Sequence, residues 1–203
     1  MLKSFSLILL LAGMTCPARA ERELWQDFTK PPHDYWTKPV TDRFSLLKDD
    51  LASGKIPLDR SSEKAFVMSL LDVLKVPASS QMLVFSATSL QLSLISTRNP
   101  RALYFNEDTY IGWVPNGLVE VIAADREMGP VFYVYDRLRP GGPVPNVTRS
   151  TKCMNCHAGN ATRRLPGLIA ESLLVSQAGS SLETFRRDVQ GHQIPLDLRF
   201  GGW

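Results

Sequence analysis

Cys153-Met154-Asn155-Cys156-His157 holds two of the three cysteines and one of the three histidines in this 203-residue chain. C-x-x-C-H is the attachment signal for c-type haem. Two residues between the cysteines let both sulfurs meet one porphyrin edge, and the adjacent histidine brings an imidazole under the ring. Other uses of the same residues fit less well. A redox dithiol belongs at the start of a helix after a strand, whereas the stretch before Cys153, PGGPVPNVTRSTK, reads as a loop. A zinc site wants about four ligands, and only Cys153, Cys156, His157 and a remote histidine are on offer. A disulfide between Cys153 and Cys156 would leave His157 without a role.

The motif therefore implies one covalently attached haem c, bound by Cys153 and Cys156, with His157 as the proximal iron ligand. The far side of the iron decides between chemistries. A second strong ligand makes an electron carrier, and an open face invites small molecules. No methionine follows His157, although six occur in the chain. His192, on the Gly-flanked turn VQGHQIP, is the leading candidate for the distal ligand. Met128, Met82, Met68 and His33 are the others. Arg163 and Arg164, just past the motif, are candidates to pair with the haem propionates, because Arg–carboxylate bonds are strong.

The N-terminus points to the compartment where such attachment takes place. Lys3, the apolar run Phe5 to Ala12 and the small-x-small site Ala18-Arg19-Ala20 form a secretory signal peptide over residues 1–20. Cleavage after Ala20 would remove Cys16 and leave two cysteines, both in the motif. Gly13-Met14-Thr15 is a poor context for lipidation of Cys16. The expected location is the periplasm or another exported compartment. The formal net charge of +3 contains no basic block, so nucleic acid is not an expected partner. No later stretch is long and apolar enough for an integral membrane protein. The expected partner is a redox protein in the same compartment.

The elements that must position the motif are legible in order. Residues 21–41 mix aromatics with prolines and read as an extended arm laid over the domain. Asp42 to Ser53 reads as a helix with Asp42 as cap and Gly54 as stop. Ser61 or Ser62 opens another, with Phe66, Leu70, Leu71 and Leu74 on one face and Pro77 beyond it. From Gln81 the character turns to strands: MLVFS, LQLSLIS, ALYF, IGWV, LVEVIAA and VFYVYDRL. Asn106-Glu107-Asp108, Pro115-Asn116-Gly117 and Met128-Gly129-Pro130 separate the later ones, as in an antiparallel meander. Both faces of LVEVIAA alternate with apolar residues, so the sheet is expected to be covered on much of both sides.

Residues 42–139 are thus the helix-and-sheet scaffold, and 140–203 the haem-binding segment. Arg139 to Asn146, rich in proline and glycine, is the expected hinge between them. Two short helices are expected at Leu168 to Ser176 and Ser180 to Asp188. The fold class is α+β, an antiparallel sheet scaffold with surrounding helices and a C-terminal haem-c segment, not a compact all-helical cytochrome c.

The segments SQMLVFSATSLQ (80–91), PRALYFNEDTYIGWVPNGLVEVIAADREMGPVFYVYD (100–136), KCMNCHAG (152–159) and RFGGW (199–203) resemble a family of exported bacterial proteins. These are described only as cytochrome c domain-containing, with one covalent haem. The resemblance runs from about residue 60 to the end. It implies haem binding at Cys153, Cys156 and His157 and electron transfer with no established substrate, and it matches His192 to a histidine preceding the GGW block. Relatives continue past that block, so this chain is expected to be C-terminally short. The function these readings imply is one-electron transfer by an exported c-type cytochrome. The alternative is a haem-based, peroxidase-like redox enzyme or a small-ligand sensor with an open distal site, where His192 would act as acid or base.

Overall fold

Asp42 and Ser62 each start a helix by giving a side-chain oxygen to an otherwise unpartnered backbone N–H, Ser45 N at 2.9 Å and Ala65 N at 3.1 Å. A computed structural model describes residues 26–86, 89–173 and 200–202; for 171–173 and 200–202 it describes the backbone only. Helix α1 spans Arg43–Ala52 and α2 spans Glu63–Leu74. Past α1, Gly54 takes the expected left-handed conformation with φ +77. Helix α2 ends earlier than Pro77 suggested, on Lys75, itself left-handed at φ 58.

Six strands follow in a meander: β1 Met82–Val84, β2 Arg101–Phe105, β3 Thr109–Trp113, β4 Val119–Asp125, β5 Gly129–Tyr135 and β6 Val147–Arg149. They pair antiparallel in chain order. The turns are those the polar residues announce. Asn106 Oδ1 accepts from Asp108 N and Thr109 N between β2 and β3. Asn116 is left-handed at φ 66 between β3 and β4. Asp125 Oδ1 accepts from Glu127 N and Met128 N between β4 and β5.

Register divides the sheet into two faces, because side chains alternate along a strand and cross-strand partners share a side. Ile111 pairs with Val121 and Val121 with Tyr133; this face meets the helices. Phe44 of α1 packs on Tyr133 and Tyr135 with ring centroids 4.7 and 5.8 Å away, and Phe66 of α2 on Tyr135 at 5.3 Å. The other face carries Leu103, Gly112 and Glu120 in one row and Tyr110, Ile122 and Phe132 in the next. The motif lies on this second side, so both sides of the sheet are indeed covered over part of their area.

Described residues of the arm, 26–41, behave as an ordered cover. Tyr35 is fully buried and its hydroxyl donates to the Pro130 carbonyl at 2.8 Å. Thr41 ties the arm to the β4–β5 turn through Asp125 Oδ2, with N–H at 2.6 Å and hydroxyl at 3.1 Å.

Three expectations fail. The run LQLSLIS (90–96) forms turns, not a strand. Gln91 there clamps the backbone just ahead of β4, its Oε1 accepting from Leu118 N and its Nε2 donating to Leu118 O at 3.2 Å. Leu168 to Ala170 are not helical, and Glu171–Leu173 is a strand, β7, paired antiparallel with β8, Phe200–Gly202. That pairing joins residues far apart in sequence, which a local periodicity does not reveal. The connector 139–146 is pinned to the scaffold: Gly141 N donates to Arg60 O at 2.8 Å and the Arg60 guanidinium to Gly142 O. It leads straight into β6 of the same sheet, an arrangement without the free pivot a hinge needs. The signal-peptide residues 1–20, the second expected helix at 180–188 and His192 lie outside the described residues. Among the described residues, no helix is long and apolar enough to cross a membrane.

Candidate functional site

A single helical turn, α3 (Met154–His157), presents the motif. His157 N donates to Cys153 O at 2.9 Å and Ala158 N to Met154 O at 3.0 Å. Residues three and four apart share a helix face, which brings Cys153, Cys156 and His157 together, whereas Met154 does not line the cavity they share. Met154 is 8% exposed and joins the core beneath, which fixes the turn against the sheet. No disulfide joins the two thiols; Cys153 is half-buried and Cys156 exposed. Burial raises the Cys153 thiol above its ordinary pKa, so it is held as the protonated thiol at neutral pH.

All three motif residues line one cavity of about 310 Å³, at the small end of the range for ligand pockets. Its floor is the second face of the sheet, with Leu103, Tyr110, Gly112, Ile122 and Phe132. Leu90 and Leu92, 49% and 50% exposed, also line it, which places an apolar lip in reach of water. Gly112 keeps the floor low at mid-sheet. A Cβ there would come to 3.3 Å from both Glu120 Oε2 and Leu103 Cδ2, and a glycine inside a strand is a common sign of close approach by a ligand.

The His157 ring is held on two sides. It packs on Phe132 with centroids 4.4 Å apart and planes tilted by 42°. Its Nδ1 lies 2.9 Å from the Gly167 carbonyl, which can only accept, so Nδ1 carries the proton and Nε2 keeps its lone pair. Burial, aided by the charge of Arg101, holds the ring below the usual histidine pKa against that hydrogen bond, which keeps the imidazole neutral. The residues between His157 and Gly167 loop back through Arg163 and Arg164, both left-handed at φ 54 and 61.

Cavity-lining residues beyond the motif were not singled out by sequence reasoning. Arg101 and Glu120 form an ion pair at 3.1 Å on the floor, and Lys152 stands beside Cys153. The signal available was a charged residue among the apolar ones of each strand, Arg101 in RALYF and Glu120 in the VEVIAA run. Arg163 and Arg164, the expected propionate partners, are exposed and are not among the lining residues.

The distal candidates among the described residues lie elsewhere too. Met128 is buried in the core under the β4–β5 turn, and Met68 packs against the core from α2. Met82 is exposed on β1. His33 stacks on Tyr35, 5.8 Å between centroids, with Nδ1 at 3.3 Å from Phe28 O. None of the four lines the cavity.

Among the described residues no group of three or more His, Cys, Asp or Glu forms a metal-ion cluster. A c-type haem asks for something different from the protein: two thiols, one neutral imidazole and an apolar slot. The donors at this cavity are of that kind. Compared with protein-family models, with curated proteins and with solved structures, the chain matches none.

Proposed function

We propose that this chain is an exported c-type cytochrome that carries one covalent haem and passes single electrons to and from a redox protein of the same compartment. The observation that carries the reading is the convergence of Cys153, Cys156 and His157 on one apolar-floored cavity, with His157 Nδ1 engaged and Nε2 left to ligate. The haem supplies a one-electron iron couple when bound. Cys153 and Cys156 would hold the group as thioethers, an addition of thiol S–H across a vinyl double bond that would need no external oxidant. Cys156 is exposed for this, and Cys153 is half-buried at the cavity wall.

The chain's own residues then orient and shield. Gly167 fixes the tautomer of His157, a role that in metal sites raises ligand basicity and holds the ring angle. Leu90, Leu92 and the sheet floor would give the macrocycle apolar contact, and nearby charges act more strongly where water is displaced. Residues 140–203 form the haem-binding segment in this reading, with β6 as its root in the sheet. The likeness to exported cytochrome c domain-containing proteins belongs to the same proposal, as do the signal peptide at 1–20 and His192 as distal ligand.

The alternative, a redox enzyme or sensor with an open distal face, is favoured by one observation: Met68, Met82, Met128 and His33 all stand away from the cavity. One experiment separates the two. The full chain is produced with haem c maturation machinery and its intact mass and optical spectra are recorded. Covalent haem with a six-coordinate, low-spin spectrum unmoved by carbon monoxide supports the carrier, and His192→Ala should then turn it high-spin. A high-spin spectrum that moves with carbon monoxide supports the alternative. A folded product without covalent haem ends both.

A further inference from the structure

We propose that the buried Arg101–Glu120 ion pair sets the reduction potential of the haem held by Cys153, Cys156 and His157, the two charges acting with opposite sign. The inference rests on the haem reading and gives it a means of regulation by the protein. The pair bridges strands that are not neighbours. Arg101 is in β2 and Glu120 in β4, and they meet at 3.1 Å across β3 on the cavity face. Gly112 of β3 makes this possible, since it stands in register between Leu103 and Glu120 and offers no side chain to block the contact. The Arg101 side chain is 2% exposed and that of Glu120 16%.

Stability alone does not account for such a pair. The desolvation of both charges offsets most of their attraction, and apolar residues of similar volume often serve as well or better. A field inside the cavity is what apolar residues would not provide. Both charges line the cavity that His157 lines. With water displaced from the slot, the same field acts on the iron at a low effective dielectric. Arg101 disfavours the extra positive charge of the ferric state and Glu120 favours it. Local charge, hydrogen bonding and burial are recognised levers on haem potential. The pair enters no bond and exchanges no proton; one electron passes between the iron and a one-electron donor or acceptor protein.

The test uses the full-length haem protein and its Glu120→Gln, Arg101→Met and Arg101→Lys variants. Intact mass establishes covalent haem in each, and a potentiometric titration with mediators gives the potential. Glu120→Gln should shift the ferrous-to-ferric ratio at fixed potential at least about tenfold toward ferrous, a rise of about 59 mV for a one-electron couple. Arg101→Met should shift it by a similar factor toward ferric, and Arg101→Lys should stay within about threefold of the parent. Shifts of the same sign in Glu120→Gln and Arg101→Met overturn the proposal, as do ratios within threefold in both. A shift in Arg101→Lys as large as in Arg101→Met also overturns it, because the charge would then not be the cause. If Arg101→Met does not fold, the near-isosteric Glu120→Gln decides the sign alone. Absence of covalent haem in the parent is the separate outcome that removes the haem reading and this inference with it.

Discussion

His157 and Gly167 are bonded to each other twice: the imidazole Nδ1–H donates to the Gly167 carbonyl at 2.9 Å, and the Gly167 N–H donates to the His157 carbonyl at 2.8 Å. One residue thus holds the ring and the backbone of the proposed ligand. It does so in a tight place. A Cβ on Gly167 would lie 2.9 Å from Thr162 Cγ2 and 3.1 Å from Thr162 Cβ, while Thr162 Oγ1 itself donates to His157 O at 3.2 Å. Gly167→Ala should therefore push the loop away from the ring. The expected result is a destabilisation of about 1–3 kcal/mol, as for other overpacked sites, with a fraction of the proposed haem form turning high-spin. Adding Thr162→Ser removes the methyl at 2.9 Å and keeps the hydroxyl, with Cβ still at 3.1 Å, so the double variant should recover part of both losses. If the double variant behaves like Gly167→Ala alone, the contact with the Thr162 methyl is not the cause.

Met154 gives the motif its footing. It is the motif residue that does not line the cavity, 8% exposed and part of the main core. Met154→Ala should cost about 2–4 kcal/mol in urea denaturation of the haem-free protein, in the range of buried Met→Ala changes. A loss under about 0.5 kcal/mol would mean that the turn is held by the backbone bonds to Cys153 and Met154 and not by the core.

The described methionines make a spectroscopic prediction. Met68, Met82 and Met128 do not line the cavity, so replacing each singly by Leu should leave the oxidised and reduced spectra of the haem protein unchanged. Loss of a low-spin band in any one variant would identify that methionine as a ligand and require a rearranged scaffold.

Much of the scaffold could be read before any coordinates, because its cues are local. Asp42 and Ser62 cap their helices as their sequence positions suggest, and Pro115-Asn116-Gly117 turns one strand into the next. The alternation around Glu120 correctly showed a sheet covered on both sides. It said nothing of what Glu120 meets, since Arg101 reaches it across an intervening strand. The same limit hid the turn at 90–94. Leu90 and Leu92 look like strand residues, and the partner that fixes this loop, Leu118, comes only after β2 and β3 in the chain. Arg163 and Arg164 were attractive by distance from the motif, yet both are exposed and neither lines the cavity. Proximity in sequence is a poor guide to a cavity that β2, β3, β4, β5 and the motif build together.

Asp42 serves two elements at once. Its Oδ1 caps α1 at Ser45 N, and its Oδ2 accepts from the buried Tyr133 hydroxyl at 2.6 Å. Burial, with this carboxylate next, pushes the Tyr133 phenol far above its ordinary pKa, so it remains a donor. Asp42→Ala should lose the cap, about 1 kcal/mol, and strand the hydroxyl, about 1–3 kcal/mol. Tyr133→Phe removes only the second interaction together with its donor and should cost about 1 kcal/mol. Urea denaturation of both variants checks the order; equal losses would mean that the cap contributes nothing.

Asp125 predicts how stability responds to acid. Burial alone would raise its pKa, but bonds from the backbone N–H groups of Thr41, Met128 and Glu127 and from the Thr41 hydroxyl outweigh this and hold it below the usual carboxylate value. A carboxyl whose folded pKa is depressed adds stability that is fully present above its unfolded pKa, about 3.9. That contribution is lost as pH falls through the lower, folded value. Asp125→Asn keeps the shape but turns an NH₂ toward donors on one side, so at pH 7 it should cost about 2–4 kcal/mol. The gap between parent and variant should be constant above about pH 5 and narrow below about pH 4, where the unfolded parent binds the proton before the folded one does. The arm should report it first, because Thr41 is bound through both its N–H and its hydroxyl to Asp125 Oδ2. Hydrogen exchange of the arm amides against pH, alongside urea midpoints, measures both. A gap that stays unchanged down to pH 2 would show that the charge of Asp125 does not hold the arm.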